Sequence, residues 1–69
     1  MSNTLDLHGT RHDDVDRVVE NFILMNDLPL TIITGNSQFM RDSVLDKCNQ
    51  FGFDCHQWDS GVIKVLDIK

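Results

Sequence analysis

With 69 residues the chain has room for one domain and one core, in the size range where folding buries only about 60% of the surface that the unfolded chain exposes. A hydrophobic fraction of 41%, spread along the whole chain, excludes a disordered polymer. Six basic against eleven acidic residues give a net charge of −5, which excludes charge-driven coating of nucleic acid, so any nucleic-acid partner has to be recognised locally. The first residues, Met-Ser-Asn-Thr-Leu-Asp, carry no basic region, apolar run or cleavage site, and a cytoplasmic domain without a membrane partner is expected.

In chain order, Thr4-Leu5-Asp6-Leu7 alternates as a short strand and runs into a turn at His8-Gly9. Thr10 is the candidate N-cap of a helix near residues 12 to 26, whose apolar stripe is Val15, Val18, Val19, Phe22 and Ile23. Asp13, Asp14 and Asp16 suit the positive end of its dipole. Asn26, Asp27 and Pro29 stop it, and Leu30-Thr31-Ile32-Ile33-Thr34 reads as a central strand, apolar on both faces. After the turn Gly35-Asn36-Ser37, Ser37 caps a second helix, near residues 38 to 51, with Met40, Val44, Leu45, Cys48 and Phe51 as its buried stripe and Gly52 as its C-cap. Phe53 to Trp58 and Val62 to Ile68 form a hairpin around Asp59-Ser60-Gly61.

The order is therefore β-α-β-α-β-β over one domain, residues 1–69. Right-handed crossovers make the first two strands parallel and place both helices on one face of the sheet, giving a two-layer α/β domain with the other face open.

Several residues carry candidate chemistry. Asp6 and His8 share one face of the first strand, while Leu5 and Leu7 point to the core. There the carboxylate can orient the imidazole for general acid or base work on a phosphodiester, or merely brace the turn. Thr34-Gly35-Asn36-Ser37 at a helix start offers backbone N–H groups and the positive dipole end to a phosphate, with Arg41 one turn on to point back over it; the alternative is an ordinary capped turn. Lys64 is the other basic residue expected near the sheet, and Trp58 either stacks on a base or packs across the hairpin. Phe39 is read as core or helix surface.

Neither a cofactor motif nor a metal-ligand set is present in the sequence. His8 and His12 are four apart but separated by the Gly9-Thr10 turn, and Cys48 with Cys55-His56 lacks paired Cys-x-x-Cys spacing. Cys48 and Cys55 are expected to be free thiols, because they would close a very short loop in a reducing compartment.

The segment Leu5-Asp6-Leu7-His8-Gly9 resembles the LDLHG signature that opens Small MutS-related (Smr) domains. The resemblance continues through Val15, Val19 and Phe22-Ile23, the Thr34-Gly35 turn, Met40-Arg41 with Val44, and Gly61-Val62-Ile63-Lys64-Val65, covering nearly the whole chain. It implies a sandwich like the C-terminal domain of translation initiation factor three, with a mixed four-stranded sheet. It also implies binding of RNA or DNA, with endonuclease activity or, alternatively, a non-catalytic RNA, ribosome or protein adaptor that keeps the fold. By this resemblance Asp6 and His8 are the catalytic candidates, and Thr34, Gly35, Asn36, Ser37, Arg41 and Lys64 hold the substrate; it leaves a divalent metal requirement open. The chain departs from the family's second motif, Gly-x-Gly, by having Ser37 in place of the second glycine, and the stretch to Met40-Arg41 is about one residue shorter.

Overall fold

A computed structural model describes residues 3–68. Its elements are β1 (Thr4–Asp6), α1 (His12–Met25), β2 (Leu30–Ile33), α2 (Gln38–Phe51), β3 (Phe53–Asp59) and β4 (Val62–Ile68). The four strands form one mixed sheet in the order β1-β2-β4-β3. β1 runs parallel to β2 with Leu5 beside Ile32 and Asp6 beside Ile33, and β4 is antiparallel to both of its neighbours. The β-branched run in β2 and the alternation in β4 explain the two central places. Leu30, Ile32, Ile63 and Val65 are fully buried toward the helices, whereas Thr31, Ile33, Val62 and Lys64 are half-buried on the other face.

Both helices cover the same face, as expected. Val15, Val19 and Ile23 of α1 and Met40, Val44 and Cys48 of α2 join Leu7 and the four sheet residues in a single core cluster. Phe51 does not join it. It lies on the surface with the Lys47 ammonium 5.7 Å from its ring, because Gly52 turns the chain toward β3 just beyond it.

The helix ends show which local signals win. Ser37 caps α2, its Oγ accepting from the Met40 amide at 3.2 Å, and Gly52 closes the helix in the left-handed conformation (φ 76°) with its amide on the Asn49 carbonyl. Thr10, the expected cap of α1, is not one. Arg11 occupies that place without a side-chain bond, and the Thr10 amide closes the preceding turn on the Leu7 carbonyl at 2.9 Å. Asp13 and Asp14 lie in the first turn as expected, but Asp16 is a turn further on, 4.0 Å from Lys47 of α2.

Cys48 and Cys55 are joined in a disulfide, contrary to the expectation of free thiols. Loop length was the wrong criterion. The tight reversal at Gly52 brings the last turn of α2 against the start of β3. Cys48 belongs to the buried stripe and Cys55 pairs with buried Val65, leaving their Cα atoms 6.4 Å apart, within disulfide reach. A bond closing so short a loop is worth about 2 kcal/mol by chain entropy. Reduction with dithiothreitol should therefore lower the stability by about that amount, read as an earlier urea midpoint at unchanged slope. An unchanged midpoint would mean that the bond adds nothing to stability.

Candidate functional site

Parallel pairing of β1 and β2 sends both strand ends to the same edge of the sheet, and the pairing extends one bond further, from the Leu7 amide to the Ile33 carbonyl at 2.9 Å. His8-Gly9 and Thr34-Gly35 consequently emerge side by side. They share an open concavity of about 390 Å³, to which the first turn contributes Asp6, His8 and Gly9 and the second Thr34, Gly35, Asn36 and Ser37, with Ile33 and Met40 as its apolar lining.

Asp6 has a structural partner. Its Oδ1 accepts the His8 backbone N–H at 2.8 Å, which shapes the turn and does not orient the imidazole. Of the two roles open to Asp6, the brace is therefore the one the structure displays. His8 itself is exposed at the rim, and His12, on α1, stacks on Phe39 at a 4.2 Å centroid distance. Among the described residues no group of three or more His, Cys, Asp or Glu side chains is arranged to hold a metal ion.

The second turn is anchored by a contact that local patterns do not reveal. The Gly61 carbonyl, at the tip of the β3–β4 hairpin, accepts the amides of both Thr34 (2.7 Å) and Gly35 (3.2 Å). Gly61 is buried, and a Cβ built on it would stand 2.8 Å from the Gly35 carbonyl oxygen and 2.9 Å from the Gly35 Cα. Only glycine fits there, with φ at 78°. The sequence marked Gly61 as a hairpin residue; that its backbone seats the second turn is a contact between positions 26 residues apart, for which no local signal exists.

Two of the expected substrate residues, Arg41 and Lys64, do not line this concavity. The Arg41 guanidinium donates to Gln38 Oε1 at 2.9 Å, and Gln38 in turn donates to Asp42, so Arg41 is engaged along the surface of α2 and does not line the concavity. Lys64 faces the open side of the sheet, paired with Thr31 and His56, its ammonium 5.3 Å from the ring of exposed Trp58. A larger hollow of about 630 Å³ between α1 and α2 is lined by Asp13, Asp16, Asp42 and Asp46, which disfavours any anion on that side.

Gly61→Ala should cost about 3 kcal/mol through the clash and the positive φ, and should shift the Thr34 and Gly35 amide resonances. Gly9→Ala, where nothing lies within 4 Å of the added carbon, should cost about 1 kcal/mol. Equal costs for the two would remove Gly61 as the seat of the turn.

No family model, no curated protein and no solved structure matches the chain.

Proposed function

We propose that this domain is an Smr-like nucleic-acid-binding module that holds one backbone phosphate of an RNA or DNA strand where β1 and β2 end. The observation that carries the reading is the shared concavity, in which the LDLHG turn and the Thr34–Ser37 turn meet at the N-terminus of α2. Because Gly61 occupies the Thr34 and Gly35 amides, the phosphate has to be held by the amides that follow, of Asn36, Ser37 and the first turn of α2, where the helix dipole is positive. His8 supplies a hydrogen bond at the rim.

Binding is favoured over cleavage. Endonuclease chemistry needs a positioned acid or base and a charge to stabilise the developing oxyanion. Here the Asp6 carboxylate is hydrogen-bonded to a backbone amide, Ser37 stands where the family's second glycine would be and its hydroxyl caps α2, and Arg41 is tied to Gln38. An adaptor in the cytoplasm, working on RNA, a ribosome or a protein–RNA complex, fits this arrangement better than a nuclease.

Titration with a short single-stranded RNA should move the NMR signals of His8, Asn36 and Ser37 together. The acidic surface allows few phosphate contacts, so the slope of log K against log salt should lie between about −0.7 and −1.4, one or two phosphates' worth. His8→Ala should weaken binding several-fold and Arg41→Ala leave it within about twofold. Signals moving only at the acidic hollow or on β3 would refute the assignment, and turnover of labelled RNA that His8→Ala abolishes would restore the nuclease reading.

A further inference from the structure

The Cys48–Cys55 bond is placed where a reversible covalent tie has a local consequence. β3 is an edge strand that pairs only with β4, and its register slips twice, once directly at Asp54/Cys55 and once between Gln57 and Asp59. None of its residues is fully buried. The strand is therefore held by an interrupted ladder, by side packing of Phe53 and Cys55 on the core, and by the disulfide to α2. The bond borders a shallow opening of about 170 Å³ between α2 and β3, also lined by Leu45, Asn49 and Phe53. Its two ends differ: Cys48 is 1% exposed and Cys55 is only half-buried.

We propose that Cys48 and Cys55 form a thiol–disulfide exchange site for small-molecule or protein thiols, which locks β3 to α2 when oxidised and releases β3 when reduced. This goes beyond the nucleic-acid reading and does not depend on it. A reductant thiolate attacks the sulfur of Cys55, the accessible end. The protein S–S bond breaks, and Cys48 leaves as a thiolate that takes up a proton. A second reductant thiol then attacks the reductant sulfur of the mixed disulfide and frees Cys55. In sum, one protein disulfide and two thiols become one protein dithiol and one external disulfide, and the reverse reaction uses a disulfide such as oxidised glutathione.

The fold survives the reduced state. Cys48 stays in the core as a small apolar residue, and the other ten members of that cluster lie outside β3. The change is confined to the edge strand and its turn. That strand carries Trp58, the single tryptophan of the chain, so its fluorescence reports the state directly.

The test compares the intact protein after equilibration with oxidised glutathione and with dithiothreitol. In the reduced protein the amide signals of Phe53–Asp59 should shift and broaden, while those of Leu30–Ile33 stay in place. Brief alkylation with iodoacetamide should label Cys55 at least tenfold faster than Cys48, and oxidised glutathione should restore the original spectrum and Trp58 emission. Two thiols persisting in oxidised glutathione, equal labelling of the two, spectra that coincide away from the cysteines, or unfolding of the reduced chain would each overturn the proposal.

Discussion

The Gly61 carbonyl, accepting two consecutive amides from Thr34 and Gly35, is the interaction on which the site depends. It carries the β2–β4 ladder one rung beyond Ile33 and Val62, and so fixes the turn that starts α2 against the tip of the terminal hairpin at the edge where β1 and β2 end. Parallel pairing alone would put the two turns at the same edge. The close approach of the Gly61 and Gly35 backbones sets how the second turn lies within it, and that approach leaves no room for a side chain at position 61.

The same contact bears on the proposed phosphate site. Amides spent on Gly61 are unavailable to a ligand, so the proposed phosphate would have to be held one or two residues further along the chain, at the start of α2. The charge distribution points in the same direction. Carboxylates gather in the hollow between the helices, while among the described residues Asp6 is the one carboxylate lining the concavity at the strand ends, and its Oδ1 accepts a backbone amide. An acidic protein can hold a single phosphate in such a place without attracting a long polyanion, because screening confines the repulsion from the far side to roughly a Debye length of about 8 Å.

Elements with short-range causes were legible in the sequence. The stripes of α1 and α2, the Ser37 cap, the Gly52 stop and the β-branched centre of β2 follow from residues within a few positions of one another, and the order of elements then determined the mixed sheet with both helices on one face. The rest has causes of longer range or closer competition. Thr10 lost its capping role to the turn that closes on Leu7, and Phe51 was carried out of the core by the reversal just after it. Asp6 faced a choice between an imidazole and a backbone amide two residues on, and the nearer donor won. Arg41 had a ready partner one turn back on its own helix. The disulfide and the Gly61 seat arise from the meeting of β3 and β4 with α2 and β2, which periodicity does not encode.

Amide hydrogen exchange at Thr34 and Gly35 tests the central claim most directly, because both residues lie in a turn where exchange would otherwise be fast. If the Gly61 carbonyl holds them, both amides should exchange at least about a hundredfold more slowly than that of Asn36, the next residue in the same turn. Exchange of Gly35 as fast as Asn36 would contradict the account, since the second turn would then be unseated and the shared concavity would have no fixed wall.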